Sequence, residues 1–262
     1  MIAMLHAVFT FKIRQIQKEA RKKEEKANTL KLYNTLLNSL SHELRTPIAT
    51  IIGASDNLLM NPGNLTEKNK FNLLSEISVA SLRLNQQVEN LLSMSRLESG
   101  SIQAKKDWCD VIELVYAAIK SLDENFKEHR INVQIKDNLP LVKLDAGLME
   151  QVLYNIIYNA ILYTPVNSEI KIKADYFDNT SQITIEDNGE GFPVEEIDKA
   201  FDKFYRLKGS KTGGTGLGLS IAKGFIEAHN GTITLENRPD GGAKFTINIP
   251  TETSYLNDLK NE

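Results

Sequence analysis

The residue types best equipped for chemistry fall in three clusters. The first is Ser41-His42-Glu43-Leu44-Arg45-Thr46-Pro47. A neutral imidazole is a nucleophile near physiological pH, and an adjacent carboxylate can hold or take its second ring proton. Leu37, Leu40, Leu44, Ile48 and Ile51 recur at three- and four-residue intervals around it, an apolar helical stripe. At about 100° per residue, His42 falls roughly 150° from that stripe, with Thr46 one turn on along the same face. The spacing predicts a solvent-facing histidine rather than a core one. A lone exposed histidine on a helix usually does nothing. Pro47 weighs against that reading, because it sacrifices a helical hydrogen bond and bends the helix.

The second cluster is a pair of glycine loops. Asp187-Asn188-Gly189-Glu190-Gly191-Phe192-Pro193 ends a predicted strand, and Gly213-Gly214-Thr215-Gly216-Leu217-Gly218-Leu219-Ser220 opens a predicted helix. Glycines let backbone amides approach phosphates, and a helix N-terminus favours anions. Taken singly, each loop also reads as a plain turn, and neither fits a dinucleotide fingerprint or a GxxxxGK[ST] phosphate loop. The third cluster is Asn155 and Asn159, spaced i and i+4 on an otherwise apolar helix. Buried amides are costly unless satisfied. Such a pair can hold a phosphate-linked Mg2+, which prefers oxygen ligands, or can simply bond the helix to a sheet.

These clusters need elements to position them. The first apolar stripe breaks at Asn61-Pro62-Gly63-Asn64, and Thr66 is placed to N-cap a second helix with its own stripe, Leu74, Ile77, Leu84, Val88 and Leu91. Two long amphipathic helices joined by a turn form a hairpin, and one hairpin cannot bury both stripes. A second copy completes a four-helix bundle, so a homodimer through residues 28–100 is predicted. After Gly100 the texture is mixed. Helices are predicted over Val111–Lys127, Leu148–Leu162 and Ser220–His229, the last ended by Gly231 as its C′ residue. Strands are predicted over Ile131–Ile135, Ile170–Ala174, Gln182–Glu186, Thr232–Leu235 and Lys244–Ile249. An Asp178-Asn179 turn and an Asp240-Gly241-Gly242 turn make two hairpins. The order implies an α/β sandwich of about 150 residues, with a polar, frayed tail from Thr251.

Bulk composition narrows the class. The 262 residues are 41% hydrophobic and 25% charged, with 31 basic and 34 acidic side chains and a net charge of −3. There is no basic excess to neutralise a nucleic-acid backbone, so none is expected as partner. The one cysteine, Cys109, excludes an internal disulfide, and no CxxC or Cys/His cluster suggests zinc. At the N-terminus, Met1 to Phe11 is apolar but shorter than the roughly 20 residues of a spanning helix, and Lys12, Arg14, Lys18, Arg21, Lys22 and Lys23 follow. Three readings stand open: the end of a membrane helix beginning upstream, an interfacial anchor, or a helix that packs in the dimer. If the segment touches membrane, its basic flank puts the rest of the chain on the cytoplasmic side.

Taken in order, the histidine box, the asparagine pair, Asp187-x-Gly-x-Gly, Phe201-Asp202-Lys203-Phe204 and Gly214-Thr215-Gly216-Leu217-Gly218-Leu219 resemble the histidine protein kinases of two-component signalling, over about residues 30–250. The resemblance implies an α+β architecture: a dimeric helical hairpin followed by an ATP-binding α/β sandwich of the gyrase, Hsp90, kinase and MutL type. It divides the chain into an N-terminal segment and linker helix (1–27), a dimerisation and histidine phosphotransfer domain (28–100), a catalytic ATP-binding domain (101–252) and a polar tail (253–262). It implies that His42 is the phosphoacceptor, Glu43 the adjacent base, and Thr46 the residue that orients water when the partner is dephosphorylated. Asn155, Asn159 and Tyr163 would belong to the asparagine box, with Asn159 holding Mg2+. Asp187 would read the adenine amino group, and Gly189 and Gly191 would shape its pocket. Arg206 would reach the phosphates, with Lys208 and Lys211 assisting from a mobile lid over 207–213. Gly214, Gly216, Leu217, Gly218 and Leu219 would receive the triphosphate of ATP, and Thr246 would complete the adenine pocket. The implied partner is the receiver domain of a response regulator, which takes the phosphate on an aspartate and which Thr46 helps to dephosphorylate. One departure is Leu162, where this family often carries a lysine; it leaves a non-catalytic nucleotide-binding scaffold as the competing reading. Ile51–Leu59, Asp107–Asp110, Gly147–Asn155 and Gly209–Gly231 further resemble the sensor kinases of Kdp-type potassium uptake, which implies a sensory region and membrane helices upstream.

Overall fold

The computed structural model describes residues 12, 14, 15, 18, 41, 43–60, 65–122, 129–136, 138–207 and 214–255. The N-terminal apolar segment, His42, the turn at 61–64, Lys208 and Lys211 lie outside them. Two compact units meet in sequence between Asn85 and Gln86.

The first unit contains helix α1, described over 43–60, and the start of α2 (Glu67–Glu98). α1 continues through Pro47. Thr66 caps α2 as expected, its Oγ1 accepting from the Asn69 N–H at 3.2 Å. Small residues, Ala54 and Ala80, are buried here. Ile52, Leu59, Phe71, Leu74 and Leu82 stay 55–77% exposed. The hairpin therefore leaves a large apolar stripe uncovered within one protomer.

The second unit is built on a mixed sheet of order β2-β4-β5-β7-β6: β2 (Arg130–Ile135), β4 (Glu169–Phe177), β5 (Thr180–Asp187), β7 (Ala243–Pro250) and β6 (Thr232–Asn237). β2 runs parallel to β4, and the other pairs are antiparallel. Helices α3 (Val111–Lys120), α4 (Ala146–Tyr163) and α5 (Gly218–Ala228) pack beside one another over the sheet, α4 in the middle. Alternate residues of β7, Ala243, Phe245, Ile247 and Ile249, are buried with Met149, Leu153, Ile156 and Ile157 of α4 and Ile221 and Phe225 of α5. A smaller sheet joins β1 (Asp107–Cys109), β3 (Leu141–Leu144) and β8 (Thr253–Ser254).

The cap residues explain where the helices begin. Asp110 accepts from the Ile112 N–H at 2.7 Å to start α3. Asp145 starts α4: Oδ1 accepts from Leu148 N at 3.1 Å, and Oδ2 from Lys105 N at 2.8 Å. The Asp145 N–H in turn donates to Nε2 of His229, a fully buried ring whose Nδ1–H donates to the Phe225 carbonyl at 2.7 Å. Burial pushes the His229 pKa down. The end of α2 belongs to this unit too: Met94 joins its core, Glu98 pairs with Lys203, and a β-carbon on Gly224 of α5 would come within 2.6 Å of Leu97.

Three local expectations are corrected. α3 ends at Lys120, capped by Ser121 whose N–H bonds the Ala117 carbonyl, rather than running to Lys127. α5 ends in a Schellman motif with Asn230, not Gly231, in the left-handed C′ position (φ 62°). Gly231 N and Asn230 N bond the carbonyls of Ile226 and Glu227, and Gly231 is required because a β-carbon would meet the Asn248 carbonyl at 2.7 Å. The tail is not frayed at Thr253–Ser254, which pair with Leu141 and Val142 as β8.

Candidate functional site

Two elements converge at one end of the large sheet: the C-terminal end of β5, carrying Asp187, and the last turns of α4. They line a cavity with Asn159, Tyr163, Thr164, Gly189, Gly191 and Phe245. Asp187 is only 6% exposed. Its Oδ1 accepts from two backbone N–H groups, Gly189 at 2.9 Å and Ala243 at 3.1 Å. These bonds fix the carboxylate and leave Oδ2 as an uncommitted acceptor at the cavity. An acceptor held this way in a partly apolar pocket suits an exocyclic amino group on a flat ring.

The loop after Asp187 is held from behind by the β6–β7 turn. Asn237 accepts from Phe192 N at 2.8 Å and donates to Phe192 O at 2.7 Å, and Arg238 donates to the Asp187 carbonyl at 2.7 Å. Gly242, at φ 93°, passes so near that a β-carbon would lie 2.1 Å from the Asp187 carbonyl. Phe245 is a shared wall, with Phe192 and Phe201 both edge-on to it at centroid distances of 6.3 and 6.4 Å.

Asn155 sits one turn before Asn159 on α4, buried, with Nδ2 lacking a hydrogen-bond partner among the described residues. It faces the first residue of α5: a β-carbon on Gly218 would lie 3.7 Å from the Asn155 carboxamide. Among the described residues no side chain caps α5. The side chains of Leu217 and Leu219 are buried, so these two residues can offer a ligand only their backbone. An orphaned amide beside an uncapped helix N-terminus and a glycine cradle fits a phosphate chain with its bound cation. Among the described residues no group of three His, Cys, Asp or Glu side chains could hold a metal by itself. A divalent ion here would depend on the ligand's own oxygens together with an asparagine carbonyl.

The Phe201–Phe204 element reaches the same region. Phe204 adopts φ 64°, unusual for a bulky residue, and its N–H donates to the Gly216 carbonyl at 3.0 Å. A β-carbon on Gly216 would meet the Phe204 backbone at 2.7 Å. The Tyr205 hydroxyl donates to Glu196, whose carboxylate pushes the phenol pKa up to about 12. Arg206 is exposed just beyond.

Asn159, Tyr163, Asp187, Gly189 and Gly191 thus line one cavity, and Asn155, one turn before Asn159 on α4, packs against Gly218 at the start of α5. Thr246 does not join them. Side chains alternate along β7, so the cavity face carries Ala243 and Phe245, while Thr246 lies on the other face between Thr184 and Thr234. Sequence reasoning missed Thr164, Asn237, Arg238, Gly242 and Phe245. The Asp240-Gly241-Gly242 turn was visible, but nothing local tied it to Asp187. In the first unit Glu43 is half-buried and Thr46 exposed, both on α1.

Residues 33–100 match the family described as His Kinase A (phospho-acceptor) domain. Residues 144–253 match the family of histidine kinase-, DNA gyrase B- and HSP90-like ATPases. The chain is 36% identical over 243 residues to the sensor protein KdpD of Clostridium acetobutylicum, covering 90% of this chain and 27% of the relative. It is 36% identical over 222 residues to KdpD of Escherichia coli, covering 84% and 25%. It thus spans about a quarter of the length of these curated relatives. Among solved structures, the Acinetobacter baumannii histidine kinase AdeS matches with a TM-score of 0.59 at 27% identity, over 81% of this chain and 98% of that one. With a phosphoacceptor helical domain followed by an ATPase domain of this kind, the chain belongs to the two-component sensor histidine kinases.

Proposed function

We propose that the chain transfers the γ-phosphoryl group of ATP to His42 and then to an aspartate on the receiver domain of a response regulator. The observation that carries the nucleotide half is Asp187, with one oxygen locked by two backbone N–H groups and the other uncommitted in a cavity beside the uncapped start of α5. In this reading Asp187 accepts from the adenine amino group, and Tyr163 and Phe245 enclose the ring. The amides at Gly218 and Leu219 receive the phosphates, helped by Arg206 and by Lys208 and Lys211 from outside the described residues. Asn159 would hold Mg2+, which would supply charge neutralisation on the phosphates, and the unpartnered Asn155 Nδ2 would donate to a phosphate oxygen. Phosphoryl transfer of this type rests mainly on positioning and charge neutralisation.

For the phosphoacceptor half, His42 attacks the γ-phosphorus, with Glu43 taking the imidazole proton as the P–N bond forms and ADP leaves. Thr46, one turn along, orients water for the opposing dephosphorylation of the regulator. The uncovered stripe on α1 and α2 supports a homodimer of these hairpins. The identity with two KdpD proteins supports a Kdp-type core serving a sensory region. Attachment to the inner face of a membrane, through residues 1–11 or a preceding region, belongs to the same proposal. No helix among the described residues is long and apolar enough to cross a bilayer.

The test is incubation with γ-labelled ATP and Mg2+, comparing wild type with His42→Gln. Acid-labile, base-stable label that vanishes in the variant is the expected result. Nucleotide binding with no label would favour a non-catalytic scaffold, a reading to which Leu162 lends support by removing one phosphate-directed charge.

A further inference from the structure

His129 precedes β2 and belongs to none of the motifs above. Its Nε2 lies 3.1 Å from the hydroxyl of Thr164. That hydroxyl donates its only proton to the Ala160 carbonyl at 2.7 Å. The imidazole must therefore be the donor: Nε2 carries the hydrogen, and in the neutral ring Nδ1 is a bare acceptor. Nδ1 is buried and has no hydrogen-bond partner among the described residues. An unpartnered buried polar atom is a cost, which among the described residues only the Nε2 bond to Thr164 offsets. The bond to Thr164 is what orients it.

Thr164 is the C-cap of α4 and lines the nucleotide cavity beside Asp187 and Gly189. With Oγ1 held between Ala160 and His129, its methyl is turned onto Gly189, where a β-carbon would lie 2.7 Å from Cγ2. The N–H of Gly189 is one of the two that fix Asp187 Oδ1. An unbroken series of contacts therefore runs from His129 through Thr164 and Gly189 to the carboxylate.

We propose that His129 is a positioning residue for the nucleotide cavity, acting through Thr164 to hold the wall against which the Asp187 loop is set. This rests on the nucleotide reading of that cavity. Losing the imidazole donor leaves the Thr164 hydroxyl held by the Ala160 carbonyl alone and loosens the seat of Gly189. Nucleotide affinity falls, while the transfer step at saturating ATP is untouched.

The experiment uses the whole chain, with ADP titrated by calorimetry and His42 labelling followed against ATP concentration. His129→Ala should raise the ADP Kd and the ATP KM about three- to tenfold, the worth of one hydrogen bond, with the saturated labelling rate unchanged. His129→Gln, whose amide N–H can reach Thr164, should restore most of the affinity. His129→Asn, whose amide is too short to reach it, should behave as Ala does, and replaces it if the Ala variant does not fold. In a Thr164→Val background, which keeps the methyl and removes the hydroxyl, the His129 change should add nothing. Binding within twofold of wild type, an equal loss in the Val background, or a fall in the saturated rate at constant KM would each overturn the proposal. A wild-type chain that binds no ADP would instead overturn the nucleotide reading on which it rests.

Discussion

Asp187→Asn tests the geometry of the cavity directly. The carboxylate accepts from Gly189 N at 2.9 Å and Ala243 N at 3.1 Å through Oδ1 alone. An asparagine keeps both bonds only by leaving its carbonyl oxygen in that place, which turns its NH2 toward the cavity. An acceptor aimed at an adenine amino group then becomes a donor facing a donor. The loss is one hydrogen bond to a charged group, about 1.5–3 kcal/mol, or a rise in ADP Kd of about 10- to 150-fold. Because the two backbone bonds survive, the cost in fold stability stays under about 1 kcal/mol. The reversal has a further consequence: a base with a carbonyl at the same position now meets a donor. The ratio of inosine diphosphate to ADP affinity should rise in the variant. Calorimetric titration of both nucleotides, with a thermal melt as control, reads all three quantities. ADP binding within about threefold of wild type, or equal losses for ADP and inosine diphosphate, would refute the assignment of Oδ2 to the base.

Three further outcomes are expected. Gly242→Ala forces a β-carbon against the Asp187 carbonyl at φ 93°, and should cost at least about 2 kcal/mol in a urea midpoint measurement; an unchanged midpoint would contradict that close approach. His229 is fully buried, and burial sets its folded pKa below 6.5. Its unfolded form therefore binds the proton first: stability is full above about pH 6.5 and is lost as pH falls toward the folded pKa. His229→Asn should flatten this acid limb in melts across pH, and a limb of unchanged depth would assign it to other groups. Thr46→Ala should spare labelling of His42 but slow regulator dephosphorylation roughly tenfold or more, the scale of one lost water-orienting hydrogen bond; decay of labelled regulator checks it, and equal loss of both activities would exclude the role given to Thr46.

Much of the fold was legible because local chemistry and tertiary structure agree. The Asp178-Asn179 turn is an example. Both residues take positive φ, 47° and 56°, which Asp and Asn tolerate, and apolar and polar residues alternate in the sequence over Ile170–Ala174 and Gln182–Glu186 on either side. The buried face of α4 likewise stands out as apolar, interrupted only by Asn155, with Asn159 half-buried one turn on. What was not legible depends on partners distant in the chain. β1 and β8 are three and two residues long and are strands only because β3 lies between them. Thr246 was one residue out of register, and on a strand one residue is the whole difference between the cavity and the opposite face. His129 and Asn237 carry no motif; their roles come from Thr164, 35 positions away, and Phe192, 45 positions away.

The bond between Phe204 N and the Gly216 carbonyl ties the two ends of the intervening stretch side by side on the rigid unit. The chain between those ends closes a loop on that unit. Doubling a closed loop costs only about 0.6 kcal/mol in chain entropy, so insertions and deletions there leave the base pocket and α5 in register. A foreign segment grafted between the two anchors therefore costs the fold little in chain entropy.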